Sequence, residues 1–178
     1  MNKFYQFLLL CFVAINITSC STGFTAYKHG DYYNACLESI DRLRSKPNSK
    51  KAQYVLTTAY PLAQKTTERE IDNANLANNT DKYDVFVYNY QRMNKLADAI
   101  FACPKAYELI PKPVEYVAEL SNVRQMAAEQ YYNMGVKALK GHTVEQARTA
   151  YQYFLKVNDY VQSYKDVLNK IADARYYA

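Results

Sequence analysis

Apolar residues in this chain recur at every third and fourth position, and nowhere do they alternate for long enough to build a strand. An α-helix gathers such residues on one face, whereas a strand needs a period of two, so the spacing predicts an all-α fold. Only 4 Gly and 5 Pro stand among 178 residues, too few turn formers for a many-stranded sandwich or barrel. An apolar fraction of 49% is enough to close a core, which excludes wholesale disorder.

The pattern predicts a first helix over 31–45, with Ala35, Ile40 and Leu43 inward and Pro47 beyond its end. A second starts near Ser49 and turns Ala52, Val55, Leu56, Ala59, Ala63, Ile71 and Ala74 inward. Pro61 is expected to kink that helix rather than end it, since the spacing resumes beyond. Residues 78–81, Asn-Asn-Thr-Asp, form a turn of cap-forming types. A third helix carries Tyr83, Phe86, Tyr90, Met93, Ala97 and Ile100 on one seam, and three prolines make 103–113 mostly loop. A long helix with Pro113 in its first turn then runs through Val117, Leu120, Val123, Ala127, Tyr131, Met134 and Ala138 to Gly141. The last two helices are expected over 143–157 (Val144, Ala147, Tyr151, Phe154) and 160–175 (Val161, Tyr164, Leu168, Ile171).

The first twenty residues read as an address. Lys3 precedes a mostly apolar run over 4–17. That run falls short of the roughly 20 residues a spanning helix needs and fits the apolar segment of a secretory signal. Ile17-Thr18-Ser19-Cys20 resembles the lipobox of bacterial lipoproteins. The resemblance implies a signal peptide over 1–19, lipidation of Cys20 as the first mature residue, and a membrane anchor through its acyl chains. Ser21 after the cysteine, by the same resemblance, favours the outer membrane, and the absence of an acidic cluster over 21–30 favours its periplasmic face. Cys36 and Cys103 then remain as thiols. Their spacing does not decide whether they pair, but within helical patterns each reads as a small packed apolar group.

Gly30-Asp31-Tyr32-Tyr33-Asn34-Ala35, with Pro47 after it and Leu56 and Tyr60 beyond, is similar to the tetratricopeptide repeat. Ala128, Tyr131, Gly135, Ala147 and Tyr151 resemble the same pattern near the other end, while Ser39 and Arg42 stand where a bulky residue and an alanine are usual. Small residues in that pattern let paired helices approach, and large ones fill the space between pairs. The chain as a whole resembles tetratricopeptide-like lipoproteins of Gram-negative bacteria. The resemblance implies one domain over 20–178, built as antiparallel helix hairpins in a right-handed α-solenoid or bundle with two or more long helices. It supplies no catalytic motif.

None of the common nucleotide, zinc-protease or hydrolase signatures occurs, and no Cys/His cluster has metal-ligand spacing, so neither enzyme chemistry, a metal nor a cofactor is expected. His29 and His142 each adjoin a glycine at a helix end, where a cation complements the dipole and the glycine takes a left-handed cap. The carboxylate pairs Glu115/Glu119 and Glu68/Asp72 lack a companion base or nucleophile and read as solvated faces. Binding is the expected activity. Arg42, Arg44, Lys46, Lys50 and Lys51 concentrate positive charge around one inter-helix turn, in a chain of formal charge +5. Export makes nucleic acid an implausible partner for them and an anionic envelope surface a plausible one. Of 19 tyrosines, Tyr60, Tyr83, Tyr90, Tyr131, Tyr151 and Tyr164 fall on inward seams. Tyr32, Tyr132 and Tyr153 fall off them and suit recognition of an envelope protein or peptide, or alternatively of a glycan or peptidoglycan.

Overall fold

The helical spacing is realised, in a computed structural model that describes residues 21–178, as eight helices with no strand among the described residues. They are α1 (Phe24–Lys28), α2 (Tyr32–Ser45), α3 (Lys50–Ala77), α4 (Lys82–Phe101), α5 (Pro104–Leu109), α6 (Val117–Leu139), α7 (Val144–Tyr160) and α8 (Val167–Tyr177). The signal segment 1–19 and Cys20 lie outside the described residues. No helix among those described is long and apolar enough to cross a membrane. The described residues divide into two compact units, 21–63 with Asp98–Pro113, and Gln64–Ala97 with Val114–Ala178.

In the first unit α1 packs on α2, and α2 on α5. Ala35, Cys36, Ile40, Leu43, Ala52, Val55, Leu56, Ala59 and Ile100 are wholly buried. Each large aliphatic among them contributes about 1.5–3 kcal/mol over leaving it in water. Asp31 caps α2 through its carboxylate on the Asn34 amide at 3.2 Å. The helix stops at Ser45 because Lys46, ahead of Pro47, is pushed to an extended conformation (φ −142°).

Gly23 opens α1 at φ 74°, and a Cβ there would stand 2.2 Å from the Ala35 carbonyl oxygen. Ser39 Oγ lies 2.9 Å from the Thr22 carbonyl and 2.7 Å from that of Ala35. The backbone of 22–23 therefore occupies the space a bulky side chain at position 39 would fill. α3 continues through Pro61, which leaves the Thr57 carbonyl without its main-chain donor.

In the second unit α6 packs on α7, and α7 on α8. Contacts between α6 and α7 run outward from their turn, pairing Gly141 with Gln146, Gly135 with Phe154 and Tyr131 with Tyr160, so the two helices are antiparallel. Ala128, Tyr131, Ala150, Phe154, Val157, Val167 and Ala174 form the core there. A Cβ on Gly135 would meet the Phe154 ring at 2.6 Å, so the glycine sets how closely the helices approach.

Three expected boundaries move. The 103–113 stretch holds the short helix α5, with Pro104 in its first turn. α6 begins at Val117 rather than with Pro113, because the Tyr116 amide donates to Asn94 Oδ1 at 2.6 Å and its ring stacks on Tyr90 at 5.0 Å. α7 extends to Tyr160, and α8 starts at Val167 after a turn in which Ser163 (φ 56°) and Lys165 (φ 49°) are left-handed. Val161 and Tyr164 therefore lie off α8, whose buried positions are Val167 and Ala174. The left-handed residue after α6 is His142 (φ 56°), not Gly141, whereas Gly30 after α1 has the expected φ of 78°.

Candidate functional site

Four polar side chains from three helices meet in the second unit. Asp84, in the first turn of α4, accepts from the Tyr131 hydroxyl at 2.8 Å, from Lys156 Nζ at 2.6 Å and from the Tyr160 hydroxyl. Lys156 also donates to the Tyr131 hydroxyl at 3.0 Å and lies 4.6 Å from the centre of its ring. Tyr160 stacks on Tyr131 at 6.0 Å, and Tyr153 packs against the same ring at 6.0 Å. Lys156 and Tyr160 are four apart on α7, so one face of that helix presents both to Asp84.

Burial alone would raise the Asp84 carboxyl, but hydrogen bonds from Lys156, Tyr160 and Tyr131, together with the lysine charge, hold it below its usual value. Burial pushes the Tyr131 and Tyr160 phenols up, and the carboxylate they donate to raises both further. Burial would depress Lys156, but its bonds to Asp84 and Tyr131 outweigh that and raise it. Together the shifts favour the carboxylate, the ammonium and the protonated phenols. The cluster is a hydrogen-bonded clamp between three helices.

Beside this clamp lies a cavity of about 620 Å³, lined by Asn78, Asn79, Thr80, Asp81, Tyr131, Gln152, Tyr153 and Lys156. The α3–α4 turn supplies the first four. Asn78 takes a left-handed conformation (φ 47°) there, and its Oδ1 accepts from Lys82 at 2.7 Å. The lining offers carboxamides, hydroxyls, an aromatic face and the Asp81 carboxylate. It includes one cation, which is already paired.

Of the residues singled out by sequence, Tyr153 lines this cavity. Tyr132 belongs to a separate surface cluster. It donates to Asp166, while Glu129 accepts from Tyr164 and pairs with Lys165 at 3.0 Å, and Lys165 lies over the Tyr132 ring at 4.8 Å. Hydrogen bonds from Tyr164 and Lys165 lower the exposed Glu129 carboxyl.

The remaining candidates are in the first unit, each in its own setting. The half-buried Tyr32 packs against Tyr27 at 5.9 Å with the rings tilted. Arg42 is half-buried, with its Nε enclosed and unbonded. Arg44 pairs with Asp41 at 2.7 Å, and Lys51 lies over the Phe24 ring at 4.2 Å, with Lys28 also against that ring at 4.8 Å. Lys46 and Lys50 are exposed. Cys36 and Cys103 are separate buried thiols, and burial pushes Cys36 up to about 12. No group of three or more His, Cys, Asp or Glu side chains is placed to hold a metal among the described residues.

Asp84, Lys156 and Tyr160 escape sequence reading because the cluster joins positions far apart in the chain. Its one local sign is the Lys156–Tyr160 spacing on a helix face. Comparison with known proteins finds no family model, no curated protein and no solved structure that matches this chain.

Proposed function

We propose that the chain is a bacterial envelope lipoprotein, held by acyl groups on Cys20 at the periplasmic face of the outer membrane. Its tetratricopeptide-like helical scaffold binds a segment of another envelope protein. The anchor rests on the lipobox residues 17–20. The scaffold reading is supported by the antiparallel α6–α7 pair and by the glycine at its closest approach.

The observation that carries the binding role is the cavity beside the Asp84 clamp. Asn78, Asn79 and Gln152 place three carboxamides around one space, and a carboxamide can donate to and accept from a peptide main chain at once. Tyr153 adds a flat, amphipathic surface for a side chain. The clamp ties this wall to its neighbours, which lowers the entropy the wall itself must lose when a ligand binds.

A photo-reactive amino acid at position 153 tests the proposal in cells. The expected result is a discrete polypeptide adduct that Gln152→Ala with Asn79→Ala removes and that the same probe at the exposed Tyr88 does not form. Metabolic palmitate labelling should be lost in Cys20→Ala. Absence of any adduct, or the same adduct from position 88, would overturn the binding role.

A second reading, glycan or peptidoglycan binding, is favoured by one feature of the same cavity: Tyr153 stands among amides and a threonine hydroxyl, groups that suit a sugar's apolar face and hydroxyls. Calorimetric titration with cell-wall fragments and neutral oligosaccharides separates the two. A blank panel removes the glycan.

A further inference from the structure

A second cavity, of about 640 Å³, lies in the second unit at the other end of the α6–α7 pair. Its floor is apolar, from Val136 and Leu139 on α6, Val144 and Ala147 on α7, and Tyr177 on α8. Spacings of three on α6 and α7 put each pair on one helix face. The turn between α6 and α7 forms a fixed wall. Thr143 Oγ1 accepts from the Gln146 amide at 3.2 Å, and the Gln146 side chain fills the space over Gly141.

The charged lining is of one sign. Lys140 and Lys170 reach the cavity beside the His142 ring, and no carboxylate lines it. Lys140 makes no ion pair among the described residues, and Lys170 has only a 3.8 Å contact with Asp166. An apolar floor with a cationic edge is complementary to a molecule with a long apolar body and an anionic head. The volume also bears on the choice. An α-helix is roughly 10–12 Å across, so this space takes little more than one turn of it, whereas it lies well within the range of small-ligand sites.

We infer that this cavity is a binding site for a single long-chain carboxylate, with its acyl chain on the Val136–Leu139–Val144–Ala147 floor and its carboxylate at Lys140 and Lys170. The site is independent of the carboxamide-lined cavity, so either can fail without the other. An unpaired lysine gives the carboxylate a charge-assisted bond, and the floor gives each methylene an apolar contact.

Calorimetry with saturated carboxylates of six to twelve carbons, kept below their micelle concentrations, tests it on the folded chain. Affinity should rise about fourfold per methylene. Lys140→Gln should weaken dodecanoate about tenfold and leave dodecanol unchanged. Val144→Glu should abolish both. Val144 is 53% exposed and opens α7, where a glutamate favours the helix dipole, so the variant keeps its fold by circular dichroism. Three results would each overturn the inference: equal affinity for dodecanol and dodecanoate, binding to anionic vesicles with none to monomeric carboxylate, or tighter binding of an acidic amphipathic peptide than of any fatty carboxylate.

Discussion

Asp84 shows how one carboxylate decides the pH range of a helix junction. Its acidity is increased in the fold, so its contribution is complete above about 3.8 and is lost as the pH falls below that value. Lys156, Tyr131 and Tyr160 shift upward, so their contribution is complete at neutral pH and is lost as alkaline pH approaches their raised values. Asp84→Asn keeps the shape but replaces one acceptor by a donor facing Lys156 and the two phenols. The substitution should cost about 1–3 kcal/mol at pH 7, at the lower end because Lys156 is half in water. Urea melts followed by circular dichroism at pH 7 and pH 3 check this, and the gap between the two proteins should be narrower at pH 3 than at pH 7. The sequence marked Tyr131 as inward but not what its hydroxyl meets, since Asp84 lies 47 residues away in the chain.

At the scale of elements, the helices were legible wherever apolar residues repeat over three or more turns. Ala35, Ile40 and Leu43 are buried on α2 as the spacing predicts, and so are Ala52, Val55, Leu56 and Ala59 on α3. The reading failed where polar contacts outvote periodicity. Val161, Tyr164, Leu168 and Ile171 make a plausible helical face, yet Tyr164 is drawn to Glu129, and two left-handed residues break the chain before Val167. Leu168 ends 55% exposed. Likewise Val117 and Val144 keep the period but sit at helix starts and stay exposed.

Close approach is the other quantity an element controls. Gly135→Ala drives a methyl into the Phe154 ring, which is wholly buried and has no free space to yield into. Overpacking of this kind should destabilise the chain by about 1–3 kcal/mol. Thermal melts by circular dichroism measure it, and Gly135→Ala combined with Phe154→Leu should recover part of the loss. The small residue at 135 was readable from sequence through its place in a repeat-like pattern. Its partner at 154 was expected inward only as one member of a seam.

For the molecule as a whole, the first unit holds both described thiols in its core. Cys36 and Cys103 are enclosed, and Cys103 Sγ lies 3.9 Å from the Ile40 carbonyl. Labelling with a thiol reagent should be slow in buffer and reach two thiols per described chain in urea, and fast native labelling of either would contradict their burial. The carboxamide-lined cavity needed the structure to be seen. Asn78, Asn79 and Thr80 were readable as a turn and Tyr153 as an off-seam aromatic, but nothing local ties a turn at 78–81 to positions 152 and 153.

The packed entry to α1 has a consequence for distance. Ser21 is bonded to Glu38, the Thr22 carbonyl to Ser39, and Gly23 packs so closely on Ala35 that a side chain has no room between them. Three residue steps separate position 20 from Gly23, a reach of roughly 10 Å at full stretch. Were Cys20 acylated as proposed, the chain would have almost no leash, and its first unit would ride against the lipid headgroups instead of sampling the space beyond them.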